Sequence, residues 1–283
     1  MNHLLRELAP VSTDGWLEIE KEAKRTLKTT LAARRLVDFK GPQGWDASAV
    51  GIGRSERIDI SGDSGVTARL RRVLPLVELR MPFEIKREVL DDIERGARDP
   101  DLDSVIAAAR AIAMAEDRAI FHGLPAAGIR GICEAQSEMA VPLGDDYEAF
   151  PEFVATALSR LRDEGVDGPY AIALGEQVYT GVTDTTNGGY PVLDHVRNLV
   201  EGPLVWAPGL DGAVVLSMRG EDFELTVGED FSIGYLDHDA DRVRLYIEES
   251  FTFWLLSPQA GIPMVHSAAA ATAPAPQPSR RAA

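Results

Sequence analysis

The sequence predicts an α+β protein: a strand-rich scaffold with long helices, carrying a small α/β subdomain of its own. Three observations lead there. An Ala-rich helical pattern runs over 103–121, helix and strand patterns alternate from 134 to 221, and alternating strands fill 222–257.

Residues 1–13 read as an arm that ends in Ala9-Pro10 and the polar pair Ser12 and Thr13. A helix is expected from Asp14, with Asp14 as its N-cap, because Trp16, Ile19, Ala23, Leu27 and Leu31 recur at spacings of three and four. Gly41-Pro42 and Gly44 then break the chain. The stretch 46–73 is punctuated by Gly51, Gly53, Gly62 and Gly65 and is poor in apolar residues. Short alternations, Ile58 with Ile60 and Val66 with Ala68 and Leu70, predict a two-stranded ribbon. An isolated hairpin is barely stable in water, so such a ribbon needs a neighbouring subunit to lean on.

A helix over 86–95 stops at Gly96, and a long spine helix over 103–121 closes at Gly123. Its pattern includes Ile106, Ala109, Ile112, Ala113, Glu116, Ile120 and Phe121. The subdomain reads as a helix at 150–164, a strand at 169–174, helices at 176–184 and 190–200, and strands at 203–206 and 213–218. Gly220-Glu-Asp-Phe223 recurs as Gly228-Glu-Asp-Phe231, which reads as two strands of a meander joined by a turn. Val243, Leu245 and Ile247 alternate with Arg244, Tyr246 and Glu248 in a final half-buried strand. From Ser267 the Ala, Pro, Gln and Arg composition is that of a disordered extension.

Composition bounds the function. The 283 residues carry 29 basic against 45 acidic side chains, a net −16. Proteins that wrap nucleic acid neutralise phosphates with clustered Lys and Arg, so nucleic acid is not expected as a partner. Cys133 is the single cysteine, which excludes an intramolecular disulfide and fits a reducing cytosol; a buried apolar filler is its simplest role. The start MNHLLRELAP has too short an apolar run for a signal peptide, and no window reaches the about 20 apolar residues of a membrane span. A cytoplasmic protein is expected.

Motifs that carry chemistry fail on inspection. Asp99, Asp101 and Asp103 begin like a calcium loop, but Ser104 stands where Gly is needed and Arg110 where a bidentate Glu is needed. These carboxylates fit better ahead of the spine helix, whose N-terminal dipole favours them. Gly51-Ile-Gly53 is followed by Glu56 in place of the third glycine of a dinucleotide loop. The histidines at 3, 122, 195, 238 and 266 lack zinc-ligand spacing, and His238, Asp239 and Asp241 fit a solvated turn. Glu248 and Glu249 are adjacent on a strand, so they face opposite sides and cannot form a catalytic pair. No catalytic set, metal site or cofactor is expected.

Read in order, several segments resemble the encapsulin shell proteins, the linocin-like family of bacterial nanocompartments. They include LRELAP at 5–10, GPQGW at 41–45, LPLVELRMPF at 74–83, DDIERG at 91–96 and EDRAIFHG at 116–123. GVDGPYAIAL at 165–174, GYPVLDHV at 189–196, the block WAPGLDGAVVLSMRGEDFELTVGEDFSIGY at 206–235 and RVRLYIEESFTF at 242–253 continue the series. The resemblance implies the tailed-phage major capsid fold (HK-ninety-seven-like), with a peripheral domain, an axial domain and an extended loop. On that template 1–45 forms the arm and helix of the peripheral domain, 46–73 the extended loop, and 74–133 the peripheral domain with its spine helix. The axial domain is then 134–221, peripheral strands occupy 222–266, and 267–283 is a tail beyond the usual family end.

The same resemblance implies a large homo-oligomer, an icosahedral shell of about sixty copies. It implies loading of a cargo enzyme, a dye-decolourising peroxidase or a ferritin-like iron-storage protein, through a C-terminal peptide held on the inner wall. The matching groove comprises Leu27, Thr30, Leu31, Arg34, Val37 and Asp38, with Asp230, Ile233 and Tyr235 across from them; Arg34 and Asp38 are expected to orient charged peptide ends. Leu27, Leu31 and Val37 would equally suit plain packing of helix on sheet. The loop around Asp184, Thr185, Thr186 and Asn187 would border a fivefold pore, Asp184 and Asn187 setting its polarity, or be a solvent-exposed turn. Some relatives stack a flavin on an aromatic in the helix after LPLVELR; KREVLDD at 86–92 has none, so no flavin is expected. Two other readings stand beside the shell: a prophage capsid protein packaging DNA, and a chain with hydrolase or bacteriocin activity of its own.

Overall fold

The computed structural model describes residues 3–60, 66–144 and 146–266. Gly62, Gly65 and the 267–283 tail lie outside the described residues.

After the N-terminal arm comes helix α1 (Thr13–Thr30), then strand β1 (Asp38–Lys40). The ribbon follows as β2 (Ala49–Ile58) and β3 (Ala68–Pro75), and β4 (Val77–Lys86) leads into α2 (Arg87–Glu94) and the spine α3 (Asp103–His122). The chain continues through α4 (Ile132–Ala135), β5 (Val141–Leu143), α5 (Phe150–Asp163), β6 (Tyr170–Leu174), α6 (Glu176–Asp184), β7 (Thr186–Asn187) and β8 (Tyr190–Pro191). It ends with α7 (Val192–Leu199), β9 (Leu204–Trp206), β10 (Ala213–Ser217), β11 (Phe223–Val227), β12 (Ser232–His238), β13 (Arg242–Leu255) and β14 (Gly261–His266).

Two five-stranded sheets organise the chain. In the first, β13 pairs antiparallel with β4 along one edge, and with β12 and β11 along the other. The repeat Gly228-Glu-Asp-Phe231 is therefore not a meander turn. β11 meets 251–255 and β12 meets 243–248, so the two run in one direction as a single strand broken at 228–231. A meander turn would have reversed the chain. The break stays anchored, since Gly228 N–H donates to Ser250 O and Ser250 N–H donates to Glu229 O.

The second sheet has the order β5-β14-β10-β6-β9. β14 pairs antiparallel with β10, Ala213 opposite Met264, and parallel with β5. The sequence reading grouped 222–266 as peripheral strands; the last of these, β14, lies in the second sheet. Both edges of β13 are already occupied by β4, β11 and β12, and the apolar run of β14 is buried between β5 and β10. Helix α5 packs on β10 and β14.

The core forms two buried clusters, and α3 runs through both; the one built on the second sheet also takes in Phe223, Leu225, Val227, Phe251 and Phe253 from the first. Val105, Ala108, Ala109 and Ile112 belong to the cluster with α1, α2 and β13, whereas Ala119, Ile120 and Phe121 belong to that of the second sheet. Cys133 is buried there too, and burial pushes its thiol pKa up to about 12, which leaves it inert.

The N-cap of helix α1 is Ser12, two residues ahead of the expected Asp14. Its side chain accepts a hydrogen bond from Gly15 N–H at 3.1 Å, and Asp14 sits in the first turn, where the dipole favours its charge. Ahead of α3, Asp101 accepts from Asp103 N–H at 3.3 Å and Asp103 opens the helix. Asp239 accepts from the N–H groups of Asp241 and Arg242, the solvated turn expected there.

Ile112 is 2% exposed and sits where α3 meets the first sheet's cluster. Ile112→Ala should cost about 2–5 kcal/mol, read as a lowered urea midpoint with an unchanged slope.

Candidate functional site

Helix α1 turns Ile19, Ala23, Thr26 and Thr30 inward. Its half-buried Leu27, with Leu31 just past the C-terminus, faces β12 across a groove of about 520 Å³. Ile233 and Ile247 form the opposite apolar wall, and Leu4 of the arm closes one end, held because Tyr235 N–H donates to Leu4 O at 2.9 Å. The rim is charged: Arg6 pairs with Glu20 at 2.6 Å, beside Lys24 and Lys28.

At the other end stands Arg34, whose side chain is 14% exposed. Its Nε–H lies 2.9 Å from both Glu116 oxygens, one terminal nitrogen 2.6 Å from Glu116 Oε2 and 3.0 Å from Glu249 Oε2, and the other 2.7 Å from Asp230 Oδ1. The guanidinium also lies over the Phe231 ring, 4.6 Å from its centroid. Burial alone would lower the Arg34 pKa, but the hydrogen bond and charge of Glu116, with the charges of Glu249 and Asp230, raise it above the ordinary value. Arg34 thus ties the end of α1 to the spine helix, to β13 and to the 228–231 break. Asp230 reaches it because the break interrupts the strand there.

The turn after α1 is held by a second buried carboxylate. Asp117 accepts from the N–H groups of Ala32 and Ala33, the latter at 2.9 Å. Burial pushes Asp117 up to about 7, against the downward pull of those two hydrogen bonds. Burial also raises Glu249 well above the carboxylate range, reinforced by the charge of Glu116 and the hydrogen bond to it. Glu248, next along β13, points the other way, where Arg80 donates to it at 2.6 Å.

Five of the nine expected groove residues line this groove: Leu27, Leu31, Arg34, Asp230 and Ile233. Thr30 is buried, its hydroxyl donating to Thr26 O at 2.9 Å, and Val37 packs on the second sheet's cluster. Asp38 lies on β1 and accepts from Glu221 N–H at 2.6 Å. Tyr235 packs against the first cluster with its hydroxyl 2.6 Å from His238 Nδ1. Arg34 was expected to meet a ligand's charge, but three protein carboxylates already satisfy it. Sequence reasoning missed Glu116, Asp117 and Glu249 as its setting, although a carboxylate within the apolar series Ile112, Ala113, Ile120 was a signal.

Asp184, Thr185, Thr186 and Asn187 end α6 and enter the β7–β8 hairpin. Asn187 pairs with Tyr190 across Gly188 and Gly189, whose φ values of 58° and 84° are those of a tight two-residue turn. Asp184, Thr186 and Asn187 are exposed; the Thr185 hydroxyl donates to Gly181 O.

Residues 1–252 match the family described as "Encapsulating protein for peroxidase". The chain is 58% identical over 278 residues to the type 1 encapsulin shell protein of Rhodospirillum rubrum, covering 96% of this chain and 99% of that one. Its fold is similar to that of a virus-like particle from Pyrococcus furiosus, with a TM-score of 0.57 at 16% identity over 87% of this chain and 98% of the other. It is also similar to the capsid of an empty GTA particle, with a TM-score of 0.50 at 14% identity over 84% and 97% of the two chains. The α+β architecture is thus that of the tailed-phage major capsid fold. The chain belongs to the type 1 encapsulin shell protein family, whose members self-assemble into the shell of an encapsulin nanocompartment. Among its described residues no helix is long and apolar enough to cross a membrane.

The two raised carboxyls set a pH dependence. Folded Asp117 keeps its proton to about 7, while an unfolded Asp loses it near pH 4, so its contribution to stability falls as pH climbs through that window. Glu249 acts in the same direction. Glu249→Gln, which mimics the protonated acid, should leave stability at acidic pH within about 1 kcal/mol and flatten its fall with rising pH. Arg34→Met strands Glu116 and Glu249 together and should cost about 3–5 kcal/mol. Thermal melts at pH 5 and pH 8 check both.

Proposed function

We propose that the groove between α1 and β12 holds the C-terminal peptide of a cargo protein on the inner wall of an icosahedral cytoplasmic shell of about sixty copies. The observation that carries this reading is the groove itself, about 520 Å³ with aliphatic walls, a charged rim and a rigid end. A short extended peptide with aliphatic anchors suits such a slot, because apolar pockets supply affinity while the rim fixes direction. Leu27, Leu31 and Ile233 receive the anchors. Arg34 and Asp230 form the fixed end, and Thr30 and Tyr235 support the walls from behind or beside them, while Val37 and Asp38 line a separate small cavity beside β11.

The cargo class is a peroxidase, supported by the description of the matched family, and the dye-decolourising type is what the resemblance implies. A ferritin-like iron protein is the other cargo the resemblance implies, and haem or iron in loaded particles distinguishes the two. The 134–221 region serves as the axial domain, joined by the crossing strand β14, with the remaining scaffold as the peripheral domain. The β7–β8 hairpin, with Asp184 behind it, borders the pore, and the 46–73 ribbon is the extended loop laid on a neighbour.

Leu27→Asp places an unpaired charge in the groove and should lower cargo loading by about tenfold or more without disturbing assembly. Co-expression with a fluorescent protein carrying the cargo's C-terminal peptide, followed by sedimentation, reads both quantities. Undiminished fluorescence in intact particles would refute the groove.

A further inference from the structure

The β2–β3 ribbon has two chemically different faces. Residues directly opposite in an antiparallel pair share a face. Arg57 stands opposite Arg69, and Ser55 opposite Arg71, so one face carries three arginines. All three are exposed, and among the described residues none has a carboxylate within ion-pair distance. The other face holds Ile58 opposite Ala68 and Glu56 opposite Leu70, with Arg72 paired to Glu56. Ile58 and Leu70 remain 40% and 50% exposed.

Like charges directly opposite each other destabilise a strand pair, so the Arg57–Arg69 pairing works against the ribbon in isolation. The imbalance is local. The two strands hold five arginines and one glutamate, a net +4, so the rest of a chain totalling −16 carries −20. A second copy of this chain is therefore an oppositely charged surface for the ribbon. Nucleic acid would also suit three arginines, but the −20 of the remaining chain would repel it.

The geometry points to the basic face of the ribbon, Arg57 with Arg69 and Arg71, as a clamp for carboxylates on a second copy of this chain. The inference rests on self-assembly and adds the charge pairing that drives the ribbon onto its neighbour. Bound carboxylates relieve the Arg57–Arg69 repulsion, so the ribbon is stabilised by the contact it makes. Complementary charge also orients encounter before apolar contacts such as Ile58 and Leu70 close.

The test compares two triple variants with equal loss of charge. One is Arg57→Gln, Arg69→Gln, Arg71→Gln; the control neutralises exposed Arg98, Arg110 and Arg130 in the same way. Assembled fraction is read by sedimentation and negative-stain images over a range of subunit concentrations, from about 0.1 M to about 1 M salt. The ribbon variant should need about tenfold more subunit to assemble at low salt, the control far less, and the gap should close as salt is raised. Far-ultraviolet circular dichroism should stay unchanged in both. Equal behaviour of the two variants would overturn the clamp, and so would a ribbon defect that vanishes after nuclease digestion. Wild-type chain that forms no particle under any condition would instead count against the shell itself.

Discussion

The interaction on which the rest depends is the buried contact of Arg34 with Glu116, Glu249 and Asp230. It brings together four parts of the chain that are distant in sequence: the end of α1, the spine helix, the long strand β13 and the break between β11 and β12. A cation taken out of water is costly, and the hydrogen-bonded carboxylates offset that cost only in this arrangement. The upward push on the Glu249 carboxyl fits the same logic, since several full negative charges beside one guanidinium would leave an uncompensated excess. The groove owes its fixed end to this contact, and its walls to the aliphatic side chains beside it.

Much of the fold was legible because its helices carry strong periodicity and clear stops. The spine was expected over 103–121 and runs Asp103–His122, ended by Gly123; α6 was expected and found at 176–184. What escaped was long-range pairing. The repeated Gly-Glu-Asp-Phe strings look like successive strands, yet only the register against β13 shows them to be one broken strand. The crossing of β14 was hidden for a similar reason, because strand character says nothing about which sheet has a free edge.

The site was legible to a lesser degree. Leu27 and Leu31 are four apart and had to share a face, so their pairing followed from helix geometry. Which members of the expected set reach the groove depended on details that residue order does not carry. Thr30 turns inward with the helix, Asp38 is drawn off by the backbone of Glu221, and Arg34 is consumed by acids at 116, 230 and 249. Glu248 and Glu249 behaved as strand alternation requires, each serving a different side of β13.

Helix α3 threads both apolar clusters, so neither sheet can tilt without bending twenty residues of continuous backbone hydrogen bonds. Each copy therefore behaves as a stiff tile. The curvature of a closed surface must come from the angles at which tiles meet, and mechanical load on the wall falls on the seams before it reaches any single molecule.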